Sequence, residues 1–506
     1  MSNKKLDITY LLSTRITFYG GIHEIGGNKF LIEDKGTKIF LDFGMQIGKA
    51  NQYFAEFVNP RTCNGMGDLF EFGLLPKLKG LYRRDYAKHM GFDGNEDTEI
   101  DAVILTHAHV DHAAYIHYLR PEIPIYCSEA TKLIMQAFQD TGSAEEYITY
   151  KENFKLNRKS NGEVSRCRAS DNKLPRKIKT FTELKKFSID SIEVEPIYVD
   201  HSLPGVCGFI FHTSKGSIGY TGDIRFHGRR ESTTKDFIEK CSNSDIDVLL
   251  CEGTRIAEEF SQTELDVENN VRTIIQNTKN LVICTYPTRD LDRMLSFYLA
   301  CKEGGRNLVI DLKQAYILKL FNQSEFLKGV YPSPNDNVIK IYKPRKSWGL
   351  IDKDVNFWTQ KILLGDYDNW ADEFLDYENS IDHRDVSSHH NEMVFYCSDF
   401  QLQELIDVRP KEDSVYIRSS TEPFDDDMRL DQERVKRWLL HFGLIKKEED
   451  WNHIHVSGHG SGDQIKKIIE GSDSKVLVPV HTEHEEFHKK WHNNVKEVQL
   501  NESILL

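Results

Sequence analysis

The stretch His107-x-His109-x-Asp111-His112 places four metal-ligand side chains within six residues, directly after the run DAVIL at 101–105. That run reads as a buried strand, and THAHVDHAAYIHYL after it reads as a turn entering a helix. Two imidazoles two residues apart on an extended turn can converge on one cation, and Asp111 and His112 can face a second as the chain bends into the helix. Burying so many titratable groups without a cation would be costly. The motif therefore demands a strand, turn and helix whose end is lined by other polar groups, which points to a layered α/β fold.

The surrounding pattern agrees with that demand. Short strands joined by Gly-rich turns come first: RITFYGG, NKFLIED and, after Lys35-Gly36, TKIFLDFG. PIYCS is the next strand, and SEATKLIMQAF has helical spacing with Ser128 as N-cap. Strands return in DSIEVEPIYVDHS, GVCGFIFHT, GSIGYTGD and DIDVLLCEG, and NLVICTYPT and NLVIDL with helical stretches between them suggest a second, parallel unit. NEMVFYCSD, DSVYIRSS, NHIHVSGHGSG and KVLVPVHTE resume the strands near the end. In DQIKKIIEG, Ile465, Ile468 and Ile469 share a helical face, Ser461 or Asp463 can cap the start, and Gly471 sits at the C' position. Residues 340–390 show no clear period and receive no assignment.

At 506 residues the chain is long enough for two to four domains, and 39% hydrophobic with 28% charged residues is the composition of a globular protein. The net charge of -14 argues against binding nucleic acid through overall charge. Residues 151–186 run the other way, with twelve Lys or Arg against four acids. That basic insertion reads as a solvated loop or, more sharply, as a nucleic-acid contact surface. No run of 18 apolar residues and no leader-like start is found, so a cytoplasmic protein without a membrane is expected. Nine scattered cysteines, with no CxxC, read as core residues rather than disulfides or a cysteine zinc site.

Further ligand-type residues stand at strand ends: Asp42 in LDFG, His201 in VDHS, Asp223 in TGD and His481 in PVH. Together with CEGTR (251–255) and HVSGHGSGD (455–463), and in this order, they resemble the metallo-β-lactamase superfamily. Within it the chain resembles the β-CASP nucleases, with ribonuclease J nearest in local wording. The resemblance implies an α/β fold, a metallo-β-lactamase αββα sandwich with an inserted β-CASP α/β domain. It divides the chain into 1–235 and 455–506 for the metal-binding domain and 236–454 for the insertion, with the cleft between the two domains.

The resemblance also implies roles. His107, His109 and His201 would hold one Zn²⁺, and Asp111, His112 and His481 the other, with Asp223 bridging and Mn²⁺ an alternative metal. Asp111 and Asp42 join the catalytic set, Asp42 by organising the site from behind. Glu252 would pair with His459, the expected proton donor to the leaving oxygen. Ser457, Gly458, Gly460 and Ser461 form an expected phosphate pocket, because a Gly-rich loop opening a helix presents backbone N–H groups, with Arg418, Ser419 and Ser420 as further members.

The activity implied is hydrolysis of phosphodiester bonds in single-stranded RNA by endonuclease cleavage, 5' to 3' exonuclease cleavage or both. Alternatives are a DNA-directed β-CASP nuclease and a small-molecule metallo-hydrolase such as a lactonase or phosphodiesterase; a scaffold without catalysis is disfavoured by seven intact ligand positions. RNA is the expected partner. A homo-oligomer is a weaker expectation, since ribonuclease J continues with a further domain where this chain stops 25 residues after His481.

Overall fold

The computed structural model describes residues 13–55, 57–142, 145–166, 173–182, 185–352, 362–363, 365–423, 425–447 and 451–506. Two compact units emerge: the first comprises residues up to 226 with 230–260 and 458–506, and the second 227–229 with 261–457.

The first unit is built on two sheets. One runs, in spatial order, Ile178–Phe181, Ile125–Ser128, Ala102–Ile104, Thr37–Leu41, Phe30–Asp34, Arg15–Phe18 and Ser503–Leu505. The other runs Phe187–Ile189, Ile192–Tyr198, Cys207–His212, Ser217–Tyr220, Ile246–Cys251 and Val476–Pro479. Alternate residues of each sheet face a shared core, with Ile16, Phe30, Ile39 and Ile104 from the first and Val194, Phe209, Phe211, Val248 and Val478 from the second. Such face-to-face packing of apolar sides is what strands with period-two burial require. Helix Glu129–Asp140 packs on the first sheet, and helix Glu231–Ser242 on the second beside Gly462–Ser472. This is the αββα sandwich expected from the sequence.

Local chemistry explains several of these elements. Ser128 caps its helix by accepting a hydrogen bond from the Thr131 N–H, as its sequence position suggests. Pro196 is tolerated inside its strand because it pairs with Phe209 on one side while the neighbouring strand Phe187–Ile189 pairs only with residues 192–194. The strand Ile246–Cys251 lies parallel between Ser217–Tyr220 and Val476–Pro479. The expected break after residue 235 therefore falls inside this unit, since that strand closes its second sheet. The basic insertion is not a loop: it forms the antiparallel pairs Thr149–Lys151 with Lys173–Pro175 and Leu156–Arg158 with Val164–Arg166.

The second unit holds one sheet in the order Ser380–Ile381, Ile339–Tyr342, Asn307–Ile310, Met393–Tyr396, Val282–Thr285, Val415–Arg418 and Asn452–His453. Every pairing in it is parallel. Its strands read as continuous apolar runs because helices such as Glu264–Asn277, Leu291–Gly304 and Leu312–Gln323 connect them. This is the inserted α/β domain that the sequence suggests. A buried cation fastens it: the Arg293 guanidinium donates to Glu264, to the carbonyl and hydroxyl of Ser419 and to the Val456 carbonyl.

Of the described cysteines, Cys63 is exposed, the other seven are buried, and all are free thiols. Among the described residues no helix is long and apolar enough to cross a membrane.

Candidate metal centre

The ends of several strands of the first unit deliver the polar side chains to one place. Asp42 follows the strand Thr37–Leu41 in a left-handed conformation with φ of 54°, which a short polar side chain tolerates better than most. Its buried carboxylate accepts from the Thr106 N–H at 2.8 Å and from the Thr106 and Tyr220 hydroxyls, with Oδ2 2.8 Å from the latter. The same Oδ2 lies 2.8 Å from His112 Nδ1. Asp42 thus fixes the ring of His112 and directs its Nε2 outward. Gly44 lets this turn approach the helix bearing the motif: a Cβ there would sit 1.7 Å from the Asp111 carbonyl oxygen.

Three overlapping groups of donors converge. His107, His109, His201 and Asp223 form one, Asp111, His112 and His481 another, and Asp223, Glu252, His459 and His481 a third, with ligand atoms within 4.8 Å of one another in each. His107 Nε2 lies 2.8 Å from His109 Nδ1, and His201 Nε2 lies 3.2 Å from the same atom. Asp111 Oδ2 is 3.1 Å from His481 Nε2. Asp223 stands at the junction, its Oδ2 3.2 Å from His112 Nε2 and 3.6 Å from His107 Nε2. All seven positions expected to be ligands are brought together.

The donor chemistry fits divalent metal. Ring nitrogens converge on ring nitrogens, an arrangement that repels unless a proton or cation lies between them. Two polar atoms, His112 Nε2 and Asp223 Oδ1, are buried without a hydrogen-bond partner among the described residues, and mixed imidazole and carboxylate donors suit zinc or a similar ion. Electrostatics split the site. Burial, joined by repulsion from His112 and His109, holds the His107 imidazole well below its ordinary range. Burial also opposes charge on His112, but the carboxylates of Asp223, Asp111 and Asp42 overcome it and push that imidazole up.

Beside these groups His459 Nδ1 lies 2.9 Å from Glu252 Oε2. The Glu252 carboxylate is fixed by the Ile224 N–H at 2.7 Å and the Thr254 N–H at 3.2 Å. His459 Nε2 then faces Asp223 at 3.9 Å. Burial works against a charged His459, and Glu252 and Asp223 together outweigh it, so the imidazole is pushed up.

The SGHGSG loop is more occupied than the sequence suggests. The Gly460 N–H donates to the Ile224 carbonyl and the Gly462 N–H to the Glu258 carbonyl. Ser461 is the N-cap of helix Gly462–Ser472, yet its side chain makes no cap bond. Gly458 is needed for a close approach: its carbonyl is 2.5 Å from His201 Nδ1, and a Cβ would lie 2.8 Å from His201 Cε1. The Ser457 carbonyl takes His227 Nε2 at 2.8 Å. In the second unit Arg418 pairs with Asp399 at 3.0 Å and covers the Trp451 ring. The Ser419 hydroxyl donates to the Ile454 carbonyl, while the buried Ser420 hydroxyl has no partner among the described residues. Of the expected anion-binding groups, the Gly460 amide and the Arg418 guanidinium are thus already engaged.

Sequence reasoning missed the supports behind the ligands. Thr106 and Tyr220 serve Asp42, Asn28 Nδ2 donates to the Tyr220 hydroxyl at 2.9 Å, and Thr254 Oγ1 lies 2.8 Å from His481 Nδ1. Thr106, Tyr220 and Thr254 stand within the stretches THAHVDH, GSIGYTGD and CEGTR, and Asn28 opens NKFLIED. Their signal was position, since none is a ligand type.

The donor set is that of a metal-dependent hydrolase, and the fold is similar to that of the metallo-β-lactamases. In agreement, residues 84–284 match the Beta-lactamase superfamily domain. Over most of its length the chain is similar to ribonuclease J. It is 21% identical to that of Mycoplasma genitalium, covering 93% of this chain and 68% of the relative. To ribonuclease J of Pyrococcus abyssi it is 21% identical over 93% of this chain and 90% of the relative. With that of Mycolicibacterium smegmatis the identity is 24%, and the match spans only 44% of the relative's length. A crystal structure of a protein of unknown function from Enterococcus faecalis has the same fold, with a TM-score of 0.70, 23% identity and coverage of 98% of this chain and all of that one.

Proposed function

We propose that the chain is a two-zinc ribonuclease that hydrolyses phosphodiester bonds of single-stranded RNA, internally, from the 5' end or both. The observation that carries this reading is the position of Asp223, whose carboxylate lies 3.6 Å from His107 Nε2, 3.2 Å from His112 Nε2 and 3.8 Å from His481 Nε2, with the His459–Glu252 pair alongside. His107, His109 and His201 would hold one ion, Asp111, His112 and His481 the other, and Asp223 would bridge. Two such ions supply positive charge for the developing transition state and a water of lowered pKa. The chain's own residues do the rest. Asp42 keeps the His112 ring in register, Thr254 does the same for His481, and Glu252 orients His459 and favours its protonated form. His459 Nε2 is then the donor of a proton to the leaving 3' oxygen, a step that positioned imidazoles accelerate by roughly 10²–10⁴-fold. The similarity to ribonuclease J along most of the chain supports RNA as substrate.

The test is product analysis with metal-quantified protein, using 5'-monophosphorylated and 5'-hydroxyl RNAs and DNAs of the same sequence. Cleavage of RNA alone is expected, with mononucleotides marking exonuclease action and internal fragments marking endonuclease action. A protein that carries two metals, leaves RNA intact and hydrolyses a chromogenic diester would be a small-molecule hydrolase instead.

A further inference from the structure

The basic insertion is the part of the sequence that this reading leaves unused, and its two strand pairs differ in character. Its root is locked to the first unit. Arg176 is buried and donates to the carbonyls of Glu146, Leu119 and His117. Arg83, also buried, donates to the Lys151 carbonyl and pairs with Asp85 and Glu146. Both guanidiniums cover the Tyr150 ring, at 5.0 and 5.4 Å, and Phe154 stacks on His89 at 3.7 Å. Two of the carbonyls that Arg176 grips, those of His117 and Leu119, belong to or follow the 3₁₀ helix Ala114–Tyr118, which continues the helix bearing Asp111 and His112. At about 2 Å per residue the root stands roughly 10 Å along the chain from His112.

Beyond the root, the hairpin of 155–166 is exposed at every residue but Ser165, which is half-buried. Leu156 pairs with Arg166 and Arg158 with Val164, and cross-strand partners share a face. One face therefore presents two guanidiniums on a diagonal and two aliphatic side chains, 65% and 53% exposed. Lys155 and Lys159 are paired with Glu152 and Glu163, whereas among the described residues Arg158 and Arg166 make no ion pair. At the root, Lys151 stands directly opposite Lys173, a like-charge pairing that is destabilising without a facing anion. A protein of net charge -14 that places, on one rooted hairpin, arginines unpaired among the described residues has a surface matched to a polyanion.

We propose that the hairpin face of Leu156, Arg158, Val164 and Arg166, with Lys151 and Lys173 at its root, binds the sugar-phosphate backbone of the RNA substrate away from the scissile bond. This rests on the reading of the chain as a ribonuclease. The arginines contact phosphates, and Leu156 and Val164 pack against ribose and base faces, so the contact is insensitive to sequence and sensitive to salt.

The test measures binding of a fluorescent 30-nucleotide RNA to the metal-loaded full chain and to Arg158→Gln/Arg166→Gln, from 50 to 300 mM KCl. Arg429→Gln/Arg434→Gln, on an exposed helix of the second unit, is the control, and metal content and thermal unfolding verify folding. The hairpin variant should bind about tenfold more weakly near 100 mM salt, and its log–log salt slope should be shallower by about 1.4, since each phosphate contact on a single strand contributes about 0.7. An Arg158→Lys/Arg166→Lys variant should recover the slope. Equal affinity and slope for the hairpin variant and the native chain would overturn the proposal while leaving the ribonuclease reading intact. A native chain that neither binds nor cleaves RNA would instead overturn that reading, and this proposal with it.

Discussion

Asp42 receives four hydrogen-bonding groups on one buried carboxylate, and the Tyr220 hydroxyl is one of them. Tyr220→Phe removes one donor and leaves Asn28 Nδ2 without its acceptor. Loss of a hydrogen bond to a buried charge is worth about 1.5–3 kcal/mol, and loss of an outer partner of a ligand lowers metal affinity about 10–100-fold. Denaturant unfolding and competition with a chelator should show both effects; unchanged metal affinity would remove Tyr220 from the support of the site. At His459 the expectation runs the other way. His459→Ala should keep its metal and lose about 10²–10⁴-fold in cleavage rate, as read by metal analysis beside single-turnover kinetics. Normal cleavage by that variant would exclude His459 as the proton donor. The ligand types were legible in the sequence because each is a His or Asp either in the dense motif at 107–112 or at a strand end, whereas Tyr220, Thr106 and Asn28 carry no such signature and gain their role only through tertiary proximity.

Elements show where local signals and packing part company. The sequence places Gly471 after the last helical residue, yet it lies inside helix Gly462–Ser472, and Asp473 takes the left-handed cap with φ of 49°. Gly471 is small for another reason: a Cβ there would lie 2.5 Å from Ile238 Cγ2 of the packed helix Glu231–Ser242. A glycine demanded by helix packing and one demanded by a cap look alike in sequence. Asp473→Gly should therefore stabilise the chain by about 0.5–1 kcal/mol, because L residues resist the left-handed region that glycine enters freely, and urea unfolding measures it. The root of the basic insertion gives a second test. Burial, reinforced by the guanidiniums of Arg176 and Arg83, lowers the His117 imidazole to about 3. The unfolded chain, near 6.5, then binds the proton first, so stability from the neutral ring is fully present above pH 6.5 and is lost as pH falls toward 3. Between pH 7.5 and 5 this amounts to about 2 kcal/mol. His117→Phe should flatten that part of the stability profile, and an unchanged slope would show that another group governs it. The strand pairs of the insertion, by contrast, were hidden by a composition so polar that only charge could be read.

At the scale of the molecule, each unit has a core of its own. In the first it lies between two sheets, and in the second Leu281, Ile283, Phe395, Tyr416 and Leu439 pack around the parallel sheet. The class of each unit was legible, since apolar runs alternating with helical stretches predict parallel sheets and short strands at Gly-rich turns predict the sandwich. The candidate metal donors, however, all belong to the first unit, as does His459 beside them. Cations that bind only the folded arrangement stabilise it by mass action, about 4 kcal/mol at a thousandfold excess over Kd. Chelation should accordingly act on one core and not the other. Hydrogen exchange followed by mass spectrometry should show peptides from 102–116, 199–225 and 476–482 losing protection when the metal is stripped. Peptides from 282–310 and 393–418 should keep theirs, because no donor in the three groups is drawn from them. Equal loss throughout would mean that the two cores unfold as one cooperative unit, and no loss anywhere would mean that the converging histidines and carboxylates hold their arrangement without an ion.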